Sequence, residues 1–216
     1  MERPILFSTP MVRAILDGRK TQTRRLRNLD YINERPDWWE LVGNSAEMDI
    51  PFPADRGKRD YPWFSWVQVN NNEHHFIAQC PYGKPGDILW VRETWSPIEF
   101  EDGMHYRYKA SFDDTNMKPK WKPSIHMPRK ACRIFLEVLT VRVERLQDIS
   151  ENDALAEGID IFTKDEKLWK HGLEGWEWSS MTRYAKEAYT ILWEAINGKG
   201  SWEKNPWVWV IEFKVL

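Results

Sequence analysis

Residues 131–146 read ACRIFLEVLTVRVERL, and the pattern of this stretch decides the fold expected for the chain. Apolar side chains alternate with other residues from Ile134 to Val138, and the alternation continues in the opposite phase from Leu139 to Val143. Alternation with a period of two predicts a β-strand, and the change of phase predicts a β-bulge near Val138 and Leu139. Because bulges are common where a strand turns the corner of a small barrel, the stretch predicts a long strand of a small β-barrel.

Similar patterns on both sides of this strand predict the remaining elements. Alternation and short apolar runs predict strands at 5–8, 63–69, 88–95, 104–110 and 207–215. Start and stop signals predict helices at about 10–17, 150–157 and 180–197. Gly18 stands where a left-handed residue would end the first helix, and Ser150 with Asp153 forms a capping-box pattern at the start of the second. Together these elements predict an α+β protein with a mixed or antiparallel sheet and flanking helices.

A chain of 216 residues is long enough for one core, which predicts a single domain over 1–216 with additions to it. Residues 28–80 are polar, rich in proline and tryptophan, and show little periodicity outside the strand expected at 63–69. This region is therefore interpreted as an insertion into the domain.

The composition limits the classes of function that fit the chain. A net charge of −2 argues against a large non-specific nucleic-acid surface, which needs an excess of lysine and arginine. A local basic surface is still compatible with the arginines near the N-terminus. The 14 tryptophans exceed what one core needs, so that some could line a groove in which a planar ring stacks.

The location expected for the protein is the cytoplasm. No apolar stretch is long enough to span a bilayer, and the first residues do not resemble a signal peptide, so no membrane partner is expected. Cys80 and Cys132, the two cysteines, are too few for a disulfide framework, which fits a reducing compartment.

The polar run from Gly18 to Arg25 follows the first predicted helix and contains an amine, hydroxyls and guanidinium groups. A second polar group, which includes Glu93, ends the apolar strand that starts at Ile88. If the fold brings the two together, Lys20, Thr23 and Glu93 form a base, a hydroxyl nucleophile and an orienting carboxylate, as amide hydrolysis requires.

Structural roles explain the same residues equally simply. Lys20 could complement the dipole of the preceding helix, and Thr21 and Thr23 could lie on the edge of a strand. Arg92 and Glu93 could form an ion pair that only stabilises the fold.

Three sequence blocks resemble the ASCH domain family of the PUA-like β-barrel superfamily. The first is Gly18-x-Lys20-x-x-Thr23-x-Arg25, and the second is the GDILWVRE sequence at 86–93. The third is the closing sequence NPWVWVIEF at 205–213, which is similar to a larger phage and prophage branch of the family. The blocks cover about half of the chain and occur in the order that the family shows.

The resemblance implies a PUA-like barrel and an activity. Small members of the family hydrolyse N4-acetylcytidine and related N4-acylated cytosines with a lysine, a threonine and a glutamate. These correspond to Lys20, Thr23 and Glu93, and the reaction would need no metal or other cofactor. The chain departs from the small members by the additions at about 28–80 and 110–130, which could reshape or close the pocket.

Further side chains are candidates for stacking on a nucleobase or hydrogen bonding to it, some of them from the proline-bounded segment 121–129. They are Thr21, Arg24, Arg25, Arg92, Trp95, Tyr108, Ser124, His126 and Arg129. The expected partner is a nucleoside or a single-stranded nucleic acid. An amidohydrolase of N-acylated pyrimidines, a non-catalytic module that binds RNA or modified DNA, and a phage-type protein whose additions bind a host protein all remain open.

Overall fold

The computed structural model describes residues 1–44, 63–113, 116–161, 169–170 and 181–216. The strands are β1 (Glu2–Leu6), β2 (Gln22–Arg25), β3 (Trp39–Asn44), β4 (Trp63–Gln68), β5 (Asn71–Gln79), β6 (Ile88–Arg92), β7 (Trp95–Phe100), β8 (Gly103–Tyr108), β9 (Phe135–Arg145), β10 (Asp160–Ile161), β11 (Trp169–Lys170) and β12 (Trp207–Val215). The α-helices are α1 (Thr9–Leu16), α2 (Asp30–Asn33), α3 (Glu151–Ala156) and α4 (Ala185–Asn197).

A five-stranded sheet in the order β1-β6-β9-β12-β2 forms the centre of the fold. β1 is parallel to β6, and the other neighbours are antiparallel. The two end strands, β1 and β2, are joined in the sequence by α1. Among the described strands, none pairs with the outer side of β2, and this free edge matters for the site described below.

The predicted bulge in β9 is confirmed. Glu212 of β12 pairs with Thr140, whereas the next residue, Phe213, pairs with Val138, so that Leu139 is the extra residue and is 43% exposed. Because of this extra residue, the apolar side chains before and after it, including Leu136 and Val143, all face the same core.

The central strand β12 separates two hydrophobic cores. Its odd-numbered residues from Trp207 to Phe213 belong to the first core, together with residues of β1, α1, β4 and β6. Val208 and Val210 point to the opposite face and pack with residues of α3 and α4. This alternation is what the closing sequence predicted, but the large aromatic side chains all lie on one face.

The described part of the 28–80 region packs directly on this central sheet. β3, β4 and β5 form a three-stranded sheet, and the Trp66 ring of β4 meets the Trp207 and Trp209 rings edge-on, with centroids 6.1 and 6.3 Å apart. Residues 45–62 of the predicted insertion lie outside the described residues. The described remainder shares one core with the central sheet, and the division of the chain into a domain with insertions stays a prediction.

The α+β class is confirmed, because the described residues form several β-sheets and a few helices. The described strands do not close into a barrel, because β1 and β2 are the ends of the five-stranded sheet. The PUA-like barrel therefore stays a prediction. Among the described helices, none has the length and apolar character needed to cross a bilayer.

Candidate functional site

The turn after α1 places Lys20 in the interior of the protein. Gly18 adopts a φ of +72°, as its position predicted, and the backbone N–H groups of Arg19 and Lys20 both donate to the Ala14 carbonyl at 2.9 Å. These bonds reverse the chain and direct it into β2. Lys20 then forms an isolated bridge with Glu157, the residue that follows α3.

Lys20 and Glu157 form a buried ion pair. The Lys20 ammonium donates to the Glu157 side-chain Oε2 at 2.8 Å and to the Glu157 carbonyl at 2.7 Å, and the two residues are 1% and 4% exposed. Burial lowers the pKa of Lys20, and Glu157 opposes this shift, whereas the nearby charges of Arg25 and Arg24 add to it. The lysine is thus a fixed interior cation rather than a side chain that extends into solvent.

Arg24 completes the charge balance around this pair. Its Nη1 donates to Glu157 Oε1 at 3.2 Å, its Nε donates to Glu144 at 3.0 Å, and its Nη2 lies 3.6 Å from Asp153. Burial alone would lower the pKa of Arg24, but the carboxylates of Glu157 and Glu144 raise it above its ordinary value. The Glu157 carboxylate is consequently held between two cations, one on each oxygen.

A cavity of about 200 Å³ lies against this cluster at the free edge of β2. Its polar lining is contributed by β2, the residue that follows α3, and α4, and consists of Thr23, Arg24, Arg25, Glu157, Tyr189 and Asn197. The cavity is smaller than most drug-binding pockets, which are roughly 300–1,000 Å³, and therefore suits a ligand with a single small ring.

Two hydroxyl groups in the cavity lack hydrogen-bond partners among the described residues. They belong to Thr23 and Tyr189, which are 2% and 4% exposed. Burial, followed by the charge of Glu157, raises the pKa of Tyr189 well above its ordinary value, so its hydroxyl stays protonated. Neither hydroxyl oxygen is itself fully buried, so both are open to the cavity, where they can form hydrogen bonds with a polar ligand.

The remaining lining of the cavity is mostly apolar, and its one polar atom of note is the Trp193 Nε1, a buried donor without a hydrogen-bond partner among the described residues. Met11 of α1 closes one side, and Leu192 and Trp193 of α4 close the other. This combination of flat apolar walls and a few polar groups is typical of small-molecule sites. In the part of the chain that the structure describes, no three His, Cys, Asp or Glu side chains are grouped in a way that could hold a metal ion.

Glu93 lies in a different cluster from the one expected. Its carboxylate, which is 1% exposed, accepts two hydrogen bonds from the Arg133 guanidinium, at 2.9 and 3.0 Å. The structure corrects the sequence interpretation on this point, because the carboxylate that holds Lys20 belongs to Glu157. The sequence pattern did not reveal that Arg133 is the partner of Glu93. The catalytic role of Glu93 stays a prediction.

Trp95 and Tyr108 accompany Glu93 rather than the cavity at β2. Trp95 is buried with Met127 in a small third core. Tyr108 donates its hydroxyl to the Ala131 carbonyl at 2.8 Å, and the Arg133 guanidinium lies 4.1 Å from the centre of its ring. Both rings are therefore occupied by contacts within the protein.

The other predicted binding residues are dispersed. Arg92 donates to the Ile125 carbonyl in the short turn Ser124–His126, whose Ser124 is half-buried and whose His126 is exposed. Arg129 forms an exposed ion pair with Glu2. None of these four predicted residues, Arg92, Ser124, His126 and Arg129, lines the cavity at β2.

Three of the five candidates from the first sequence block, which are Lys20, Thr21, Thr23, Arg24 and Arg25, remain at the cavity. Thr23, Arg24 and Arg25 line it, whereas Thr21 is exposed. Arg25 is half-buried, donates to the Leu6 carbonyl at 2.8 Å, and lies over the Phe7 ring. The polar run therefore identified the strand that lines the cavity, β2. Lys20 and Arg24, however, are buried in ion pairs, and their side chains do not extend freely towards a ligand.

Sequence reasoning missed Glu157 and Tyr189. Glu157 was assigned only to the end of the second helix, and Tyr189 only to the apolar stripe of the third. For Glu157, the only signal in the sequence was its position directly before Gly158, which ends a helix. For Tyr189, it was a hydroxyl group on the otherwise apolar face of the third predicted helix. Neither signal specifies a contact with β2. Glu157 is more than 130 residues away from that strand in the sequence.

No family model, curated protein or solved structure matches this chain in the comparisons with known proteins. The resemblance to the ASCH family accordingly depends on the three sequence blocks alone.

Proposed function

We propose that the protein is an amidohydrolase that binds the N4-acylated cytosine ring of a nucleoside in the cavity at β2 and removes the acyl group. The observation that carries the proposal is the Thr23 hydroxyl, which has no hydrogen-bond partner among the described residues and belongs to a residue that lines the same cavity as Glu157. A hydroxyl and a positioned carboxylate are the two groups that nucleophilic amide hydrolysis requires. The resemblance to the ASCH family, with its PUA-like barrel, supports the same assignment.

The proposed reaction has two steps. The Thr23 oxygen attacks the acyl carbon and transfers its proton to Glu157, and the C–N4 bond then breaks as that proton passes to the departing amine. Water hydrolyses the resulting threonine ester, which releases a carboxylic acid and the free hydroxyl. Lys20 does not line the cavity, so its role is to position the Glu157 carboxylate through the 2.8 Å bond.

The test is hydrolysis of N4-acetylcytidine, followed by chromatographic detection of cytidine and acetate. Thr23→Val and Glu157→Gln should each reduce kcat/KM by about 100-fold or more, since general acid–base contributions have that size. Thr140→Val and Glu187→Gln serve as matched controls, because Thr140 and Glu187 are exposed and outside the cavity. Full activity in Thr23→Val, or a loss confined to Glu93→Gln, would contradict the assignment.

A non-catalytic nucleobase-binding module is the second candidate. The observation that favours it is the Lys20–Glu157 pair. The Lys20 ammonium already donates to the Glu157 carbonyl and to its Oε2, as is typical of an ion pair that only stabilises the fold. This function predicts binding of N4-acetylcytidine without product. It also predicts salt-sensitive oligonucleotide binding that is weakened in Arg25→Ala, which is the suitable variant because Arg24 is structural.

A further inference from the structure

The free edge of β2 presents unpaired main-chain groups to the cavity. The Phe213 N–H donates to the Thr21 carbonyl at 2.8 Å, and the register continues with Thr23 opposite Ile211. Bonded and non-bonded pairs alternate in an antiparallel ladder, which makes Arg24, opposite Val210, a member of a non-bonded pair. Its N–H and C=O therefore point away from β12, on the side where no other described strand follows.

These two groups belong to the accessible part of Arg24. The residue is 4% exposed as a whole, whereas its side chain is 0% exposed and occupied by Glu144 and Glu157, so the exposed part is main chain. No hydrogen bond among the described residues uses its main-chain N–H or C=O. A donor and an acceptor that lie side by side at a cavity without partners can bind a ligand that carries the complementary pair.

The neighbouring segments determine how much of this edge is open. The end of α3 covers the edge just before it, where the Thr21 N–H donates to the Ala156 carbonyl and the Gln22 side chain donates to the Asp153 carbonyl. α4 lies beyond, with the unbonded hydroxyl of Tyr189 turned to the same cavity. The opening at Arg24 is thus bounded by two helices.

We propose, with the proposed function as the basis for choosing a cytosine ligand, that the Arg24 main chain recognises the Watson–Crick face of the base. The Arg24 N–H donates to N3, and the Arg24 carbonyl accepts from the N4 amino group. The Tyr189 hydroxyl provides a third polar contact, and Trp193 and Leu192 form the apolar walls for the ring. In this arrangement Arg24 contacts the base through its main chain, so its side chain can remain in ion pairs while the residue lines the site.

The test uses binding of the unacylated nucleoside, so that it is independent of turnover. Isothermal titration calorimetry with the wild-type protein compares cytidine, 3-deazacytidine, N4,N4-dimethylcytidine and 5-fluorocytidine. The deaza analogue lacks the N3 acceptor and the dimethyl analogue lacks the donor, whereas the fluoro analogue keeps both. We expect the first two analogues to bind about tenfold more weakly than cytidine, because each leaves one Arg24 main-chain group without its partner in the complex, and 5-fluorocytidine to bind like cytidine.

A variant pair places the ligand in this cavity. Tyr189→Phe keeps the ring and removes the hydroxyl, and it should weaken cytidine binding several-fold, whereas Tyr184→Phe, at an exposed position before α4, should not. Equal affinity for all four nucleosides, absence of cytidine binding, or an unchanged affinity in Tyr189→Phe would each overturn the inference. Face-dependent cytidine binding without hydrolysis of N4-acetylcytidine would support the inference and contradict only the proposed hydrolase.

Discussion

Glu157 is the residue on which the buried charges depend. Its Oε2 accepts from Lys20 and its Oε1 accepts from Arg24, so that one carboxylate compensates parts of two interior cations. A charge buried without a partner destabilises a protein strongly, whereas a complete pair is often close to neutral compared with apolar side chains. Arg24 has additional carboxylates nearby in Glu144 and Asp153, but Lys20 has only Glu157 among the ion pairs of the described residues.

This arrangement predicts non-additive effects of substitution. Lys20→Met should lower the free energy of unfolding by about 3 kcal/mol, and Glu157→Met by at least as much, because each leaves a buried charge without its partner. The double variant should be more stable than the sum of the two losses implies. Urea unfolding of the four proteins measures this coupling.

Lys204→Met is the matched control for the lysine, because Lys204 is exposed. Its free energy of unfolding should change by less than about 0.5 kcal/mol. Strictly additive losses in the double variant would show that Lys20 and Glu157 do not stabilise each other.

At the scale of elements, the short helix α3 positions Glu157. Its start is fixed by a capping box in which the Ser150 hydroxyl accepts from the Asp153 N–H and the Asp153 carboxylate accepts from the Ser150 N–H. Its end is fixed by Gly158, which has a φ of +94°. Close packing adds a second constraint there, because a Cβ on Gly158 would lie 3.0 Å from the Ala14 Cβ and 3.1 Å from the Lys20 Cβ.

Two helix-ending glycines allow this packing to be separated from backbone strain. Gly198→Ala, at a φ of +96° with open space around it, should cost about 2 kcal/mol from strain alone. Gly158→Ala should cost about 2 kcal/mol more, because the new methyl group must displace Ala14 or Lys20. Thermal or urea unfolding measures both losses, and equal losses at the two positions would contradict the close contact between the α3 end and Lys20.

The elements show which features a sequence can specify. The β9 bulge, the turn at Gly18 and the capping box at Ser150 were predictable, because each depends on residues within a few positions of one another. The bond between Lys20 and Glu157 joins residues 137 positions apart, and the bond between Arg133 and Glu93 joins residues 40 positions apart. No periodicity encodes such pairings, so the partners of the charged residues could be established only from the folded chain.

At the scale of the whole molecule, the 28–80 region and the central sheet are coupled by aromatic packing. Trp66 is fully buried and lies between the two sheets, in edge contact with Trp207 and Trp209. Phe64 meets the Trp209 ring in the same way, at 5.2 Å. A shared core of this kind should make the two sheets unfold together.

Substitution of the central tryptophan tests this coupling. Trp66→Ala should lower the free energy of unfolding by about 4 kcal/mol, as is usual for a buried aromatic residue, and should accelerate hydrogen exchange in β4 and β12 alike. Trp38→Ala is the control, since Trp38 is 47% exposed. Faster exchange in β4 with unchanged exchange in β12 would show that the two sheets unfold separately.

The extra residue in β9 has a consequence for how the gene can vary. Leu139 is partly open to solvent, and replacement of its side chain alone should be tolerated. Deletion of its codon is another matter, because the strand would lose its offset and one half of its apolar side chains would turn outwards. A surface position thus tolerates many different amino acids and yet cannot be omitted, which is a constraint on length and not on chemistry.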